Sequence, residues 1–398
     1  MRRSSLLLNS QFPILHYKMS VLLGIDVLLS DHLDLLQGRR VGLVSSASGL
    51  TRGLRSTVAA LQSLADVELV ALFAPEHGFY GAEADGRFVP STTDQTTSLP
   101  IYSLYGEQKR PSTAMLDGID LLVFDIQTVG VRFYTYVTTM LYVLQAAGNH
   151  GIPVVVCDRP NPIGGRIVEG PIMEPPFESF IGCGPLPLRH GLTIGELARL
   201  FTTIWEVRCD LTVVPCQGWQ RDMWHDETGL VWVPPSPSMP KLETAVCYPG
   251  TCLIEGTNLS EGRGTAVPFE QIGAPWLDAV WLAQTLNSQN CPGVVFRPTH
   301  FQPTDSKWCG QMCRGVQLHV TDRAVFRPVM TVLALLTAVQ TRHPDEFSWR
   351  LPHFDRLMGT NQVRQQLEEK EPVGDIIGRW AKGQHAFDTH RRAVMLYQ

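Results

Sequence analysis

The first 231 residues alternate short apolar runs with amphipathic stretches. Val41–Val44 reads as a strand, followed by a helix over residues 54–64. Val67–Phe73 and Ile119–Phe124 read as the second and third strands, and a long helix is predicted near Tyr134–Ala147. Pro153–Cys157 is a fourth strand. Thr193–Trp205 is a helix opened by a Thr cap with Glu196 three residues later, the spacing of a capping box. Leu211–Val214 closes the series. Strands alternating with helices predict a parallel sheet covered on both faces, a Rossmann-like doubly wound α/β domain.

The pattern changes at Trp232–Lys241, which holds four prolines. Proline fixes φ and cannot donate to a strand ladder, so this stretch reads as an extended connector. The domain expectation is therefore an N-terminal tail over 1–21, a Rossmann-like domain over 22–231, a linker over 232–241 and a smaller α+β domain over 242–398. In the last of these, Trp276–Leu286 and Val329–Val339 read as helices, and Gly293–Phe296 and Gly315–Val320 as strands.

Composition narrows the function classes. Hydrophobic residues make up 44% and charged residues 18% of the 398, enough apolar material for two cores. The formal net charge of −5 gives nucleic-acid phosphates no cationic face to meet. No run of about 20 apolar residues is present to span a membrane. Arg2, Arg3 and Leu6–Leu8 imitate the start of a signal peptide, but Asn9, Ser10 and Gln11 break the run and no small-x-small cleavage site follows. Met19, just before the first structured segment, is an alternative start, and a cytoplasmic location is the expectation from the sequence as it stands. Nine cysteines without a C-x-x-C pair read, for the most part, as buried thiols rather than a metal site.

Ligands of doubly wound sheets bind beyond the carboxyl ends of the strands. Here the four predicted strands run into Ser45–Gly49, Pro75-Glu76-His77-Gly78, Asp125-Ile126-Gln127 and Asp158-Arg159-Pro160-Asn161. Polar groups converging on one edge point to a cleft holding Glu76, His77, Asp125, Gln127, Asp158 and Asn161. For Asp158 and Asn161 the competing reading is turn architecture, because Asp and Asn after a strand often cap the next helix. Glu76 has no evident helix to cap and carries an imidazole beside it. A second polar cluster, Pro249–Thr265, places Glu255, Asn258, Glu261 and Arg263 among four glycines, and reads as an ordered loop lining a sugar-sized site or satisfying its own backbone. Arg132–Tyr136, with Tyr134, offers aromatic faces for a sugar ring or simply opens a helix.

Common cofactor signatures are missing. Gly262-Arg263-Gly264 lacks the third glycine of a dinucleotide fingerprint, and Gly81–Gly86 is followed by Arg87-Phe88 where a Walker loop needs Lys and Ser or Thr. There is no G-x-S-x-G elbow and no H-E-x-x-H. Carboxylates, amides, hydroxyls and aromatics remain, the furnishing of a carbohydrate site.

These segments together resemble the NamZ-type exo-β-N-acetylmuramidase family. The resemblance rests on Phe73–Gly78, Leu99–Gly106, Asp125–Gln127 with Val129-Gly130 and Arg132–Tyr136, Asp158–Gly165, Arg189–Leu197, Tyr248–Thr265, Gly315–Asp322 and Met358–Thr360, and runs from about Gly24 to Tyr397. It implies a Rossmann-like domain joined to an α/β domain with the site between them, and release of N-acetylmuramic acid from non-reducing ends of peptidoglycan fragments. It implies no metal or organic cofactor, and leaves export open. Ser45-Ser46 stands where the family has Thr-Asn, Thr128 where it has an acid, and Ser238 where it has Asn.

Glycoside hydrolysis needs a proton donor for the leaving oxygen and a group that stabilises an oxocarbenium-like centre. Glu76 is the expected donor. Glu169, Glu255 and Glu261 are candidates for the second carboxylate, unless the substrate's acetamido group assists. Arg263 or Arg132 is expected to meet the lactyl carboxylate. Rival readings are a cell-wall sugar-binding protein that does not cleave, a hydrolase of another β-linked amino sugar, and a nucleotide-dependent Rossmann enzyme.

Overall fold

A computed structural model describes residues 21–398; the leader-like start and Met19 lie outside the described residues. Among the described residues ten strands form two sheets. The larger takes β1 (Arg39–Ser45), β2 (Val67–Ala74), β3 (Thr92–Thr93), β4 (Pro100–Ser103), β5 (Leu121–Asp125), β6 (Val154–Cys157) and β7 (Leu211–Val214) in the order β3-β4-β2-β1-β5-β6-β7. All its pairings are parallel except that of the two-residue edge strand β3 with β4. Setting β3 aside, the order is that of a doubly wound dinucleotide-binding sheet. The sequence reading lacks β3 and β4, which are short and carry little apolar signal.

Period-two alternation divides the central strands between two cores. Leu122, Phe124, Val154 and Val156 face one side, under helix α4 (Tyr136–His150) and helix α5 (Ile194–Thr203), numbered after α1 (Gly24–Asp31), α2 (Thr57–Gln62) and α3 (Thr113–Leu116). Leu121, Val123, Val155 and Cys157 face the other, against Ile25 and Leu28 of α1 and Leu61 of α2. The capping box forms as its spacing predicts: Thr193 accepts from the Glu196 N–H, and Glu196 accepts from the Thr193 N–H. Gly151, at φ 67°, ends α4 in a left-handed turn that an L side chain enters only with strain.

The smaller domain has an antiparallel sheet, β8 (Gln271–Ala274), β9 (Val294–Phe301) and β10 (Cys313–Val320), in the order β8-β10-β9. Seven helices accompany it: α6 (Leu242–Thr251), α7 (Ala279–Ser288), α8 (Pro328–Arg342), α9 (His353–Met358), α10 (Gln362–Glu368), α11 (Val373–Gly378) and α12 (Ala381–Val394). The supposed loop Pro249–Thr265 needs correcting at its start. Pro249 and Gly250 lie inside α6, and a 3-10 turn continues through Cys252–Gly256.

The connector 232–241 carries no helix or strand. It does not isolate the domains, however, because the core under α4 and α5 runs on through Tyr248, Phe269, Leu336 and Phe354. The chain end also returns to the first domain. The Tyr397 hydroxyl donates to Asp158 at 2.5 Å, and the Leu396 N–H donates to Glu196 at 2.8 Å.

Candidate active site

In a doubly wound sheet the ligand crevice lies where the strand order reverses, here between β1 and β5. In this protein that crevice is filled by its own side chains. Asp125 binds Arg159 through Nε at 2.6 Å and Nη2 at 2.9 Å, and accepts from the Thr57 hydroxyl at 2.5 Å. Ser45 donates to the Asp125 carbonyl, and Ser46 meets Ser48 at 2.9 Å. The hollow left beside Ser48, Gln127 and Arg159 is about 30 Å³, the space of a water or two.

Several expected site residues are therefore structural, which corrects the single converging cleft. Gln127 spends its amide on the carbonyls of Thr128 and Pro160. Asn161 bonds the Leu192 carbonyl and the Ile163 N–H. Asp158 is fully buried and caps α5, accepting from Gly195 N–H at 2.7 Å and from the Thr193 hydroxyl at 2.8 Å. Burial pushes its carboxyl up to about 6, with the donated hydrogen bonds opposing. Of the two readings of Asp158 and Asn161, turn architecture is the one the structure carries. Arg132 is fully buried and donates to the carbonyls of Pro171, Leu186 and Leu357, which pins the two domains together. Glu169 is buried too, and accepts from the Val329 and Met330 N–H groups at the start of α8. Asn258 braces the backbone of Glu346 and Ser348.

The remaining candidates meet in a cavity of about 370 Å³ between the domains, within the range of small-molecule sites. Glu76, His77 and Tyr134 line it from the first domain, and Glu255, Glu261 and Arg263 from the second. Glu76 follows β2. Its Oε1 accepts from the Gly86 N–H at 2.9 Å and its Oε2 from the Thr135 hydroxyl at 2.7 Å, so the carboxyl is held in one orientation. A hydroxyl can donate or accept, so Thr135 serves either protonation state of that oxygen.

His77 sits at φ 71°, a left-handed conformation that is costly for a side chain with a Cβ, and Gly78 follows at 76°. The tight turn it makes swings Glu76 and His77 off the end of β2 into the cavity. Its Nδ1 lies 2.9 Å from the Glu83 carbonyl, which can only accept, so Nδ1 carries the hydrogen. Nε2 faces Asp85 at 3.6 Å. Burial pulls the imidazole below its ordinary value, the Glu76 charge opposing.

On the facing wall, Arg263 gathers carboxylates. It pairs with Asp85, with Glu255 at 2.7 Å and with Glu261 at 3.5 Å, and it donates to the Ser238 hydroxyl at 2.7 Å. Burial lowers its guanidinium to about 10. Glu261 also holds Lys307 at 2.8 Å, and Glu255 meets His353 at 3.4 Å. Burial raises the Glu255 carboxyl, with the His353 hydrogen bond opposing. Tyr105, close to Glu76, is held protonated by burial first and by that charge second.

Sequence reasoning missed Asp85, Lys307, Arg350 and His353, and quoted Tyr105 and Thr135 only inside longer segments. Nothing local marks them: Asp85, Arg350 and His353 reach the cavity, and Lys307 reaches Glu261 behind its wall, through tertiary packing. Among the described residues no group of three or more His, Cys, Asp or Glu could hold a metal ion, and no helix is long and apolar enough to cross a membrane.

Two family models cover the chain. "Exo-beta-N-acetylmuramidase NamZ, N-terminal" matches residues 41–243, and its C-terminal counterpart matches 246–397. The chain belongs to the NamZ family. A peptidoglycan beta-N-acetylmuramidase NamZ of Bacillus subtilis (strain 168) is 47% identical over 381 residues, spanning 96% of this chain and 92% of that one. Two DUF1343 family proteins of Bacteroides fragilis share the fold, with TM-scores of 0.89 and 0.77 at 34% and 30% identity. Each match spans 95% of this chain and 99% of the other.

Proposed function

We propose that this NamZ-family chain is an exo-acting glycosidase that releases N-acetylmuramic acid from the non-reducing ends of peptidoglycan-derived saccharides. The observation that carries the reading is the cavity headed by Glu76, in a chain 47% identical to a peptidoglycan β-N-acetylmuramidase. We take the connector 232–241 as the boundary between the two domains that enclose it.

Glycoside cleavage asks for a fixed acid at the leaving oxygen and negative charge near the sugar carbon. Glu76 is our proton donor. The Gly86 N–H and the Thr135 hydroxyl aim it, and Tyr105 lies beside it on the cavity lining. Glu255 is the second carboxylate, oriented by Arg263 and His353. Glu261 is held by Lys307 and steadies that wall. Tyr134 packs edge-on against Tyr136 at 4.7 Å and gives the cavity an aromatic floor. Glu169 takes no part, being committed to α8.

Glu76→Gln keeps the shape and removes the ionisable proton. Loss of acid catalysis lowers the rate by about 10²–10⁴-fold on the disaccharide N-acetylmuramyl-N-acetylglucosamine. A substrate with an activated leaving group, which needs little protonation, loses far less. Cleavage of the natural disaccharide at near wild-type rate would move the assignment to Glu255. A wild-type protein that binds the disaccharide and leaves it intact would favour a sugar-binding role instead.

A further inference from the structure

The sequence reading assigned the substrate's carboxylate to Arg263 or Arg132, and neither cation is available. Arg132 is buried among backbone carbonyls, and Arg263 already faces Asp85, Glu255 and Glu261. Lys307, behind the cavity wall, is taken by Glu261 and by the Ile254 and Thr257 carbonyls. Two guanidinium groups on the lining remain, Arg87 and Arg350. Among the described residues neither has a carboxylate or hydrogen-bond partner for its side chain.

We infer that Arg350 is the specificity residue that binds the lactyl carboxylate of N-acetylmuramic acid, a step that rests on the function proposed above. Two observations separate Arg350 from Arg87. Arg87 is next to Gly86, whose N–H holds Glu76, so it lies on the wall where the glycosidic oxygen must meet the acid. The lactyl ether is carried on O3, two ring carbons from the bond being broken, and projects away from that oxygen. Arg350 comes from the other domain and is anchored there. Its N–H donates to the Gly256 carbonyl at 2.8 Å, and its own carbonyl accepts from the His353 N–H at 2.9 Å. The backbone of Arg350 is thus held beside the Glu255 turn, and the exposed residue lines the cavity from the second domain. A cation without a carboxylate partner on that lining attracts an anionic substituent more than a neutral one. A planar guanidinium also matches a carboxylate in two-point geometry.

The test is equilibrium binding of N-acetylmuramic acid and of N-acetylglucosamine, which lacks the lactyl group, to the full chain by titration calorimetry. Wild type should prefer the acid, and Arg350→Ala should lose about 10–100-fold in affinity for it with little change for N-acetylglucosamine, the range of one lost charge-assisted contact. Because the side chain has no hydrogen-bond or carboxylate partner among the described residues, the variant should unfold at the wild-type denaturant midpoint. The same ratio read as kcat/KM on the disaccharide and on its lactyl amide should collapse in parallel. Wild-type preference retained by Arg350→Ala, or preference lost in Arg87→Ala instead, overturns the assignment. Preference through Arg350 without any cleavage would spare it and sink the glycosidase reading, so the two failures are distinct.

Discussion

Removing the charge of Arg263 should unfasten the cavity's second wall in a pH-dependent way. Arg263→Met keeps an aliphatic stem against Phe269, whose ring centroid lies 4.7 Å from the guanidinium carbon, and deletes the cation. Breaking one partner of a buried ion pair costs about 3–5 kcal/mol, because the other charge stays behind. Here the stranded groups are partly relieved. Glu261 keeps Lys307, Glu255 keeps His353 and Asp85 keeps His77. The side chains of Arg263 and Glu255 are 15% and 20% exposed, which brings some solvent screening. A loss of about 2–4 kcal/mol at pH 7 follows, measured from urea unfolding with wild type and variant in parallel. The sign with pH is set by Glu255. Burial already raises its folded carboxyl above the unfolded value, and removing the cation paired with it at 2.7 Å disfavours the charged form further. Such a group weakens the fold once pH exceeds its unfolded value and stops doing so when it is protonated in both states. The deficit should therefore shrink as pH falls from 7 toward 4. A loss under about 1 kcal/mol at pH 7, or one that grows on acidification, would refute the ion-pair account.

Glu169→Gln tests the separation of scaffold from site. It should cost about 1 kcal/mol, the usual worth of a negative charge at a helix N-terminus, with kcat within about twofold of wild type; a hundredfold fall in kcat would return Glu169 to the chemistry. Tyr397→Phe removes the hydroxyl that donates to Asp158 at 2.5 Å and accepts from the Cys216 N–H at 2.8 Å. Stranding two buried groups should cost about 2–4 kcal/mol by thermal or urea unfolding at pH 7. Asp158 already stands at about 6 and rises further without that donor, so its share of the loss should vanish below about pH 4, where it is protonated folded and unfolded. An equal deficit at pH 4 and pH 7 would show that Asp158 is not involved.

Most of the sheet was readable because the strands buried on both faces announce themselves as apolar runs, and α5 because Thr193 and Glu196 leave a local signature. The edge strands β3 and β4 were not, since exposed Thr92-Thr93 and the mixed Pro100–Ser103 carry no such run. Pro249-Gly250 suggested a loop, yet both are buried within α6, where the Cβ of any other residue at 250 would lie 2.0 Å from the Pro328 carbonyl. Close packing on α8, not turn geometry, demands that glycine.

The site was half legible for a related reason. Sequence shows which polar groups leave the strand ends but not whether they find each other. Asp125 looked like a ligand of a cleft and is instead the counterion of Arg159, with the Thr57 hydroxyl donating to it as well. Once the crevice between β1 and β5 is closed by its own ion pair, a ligand must be met elsewhere along the same edge. The loop after β2 supplies that place. There the left-handed His77 turns the chain toward the second domain, and Glu76 is held by donors from two other segments. What the second domain adds is charge. Arg263 and Lys307 neutralise Glu255 and Glu261, and of the two lining cations left without a side-chain partner among the described residues, Arg350 is the one we propose reads an acidic sugar.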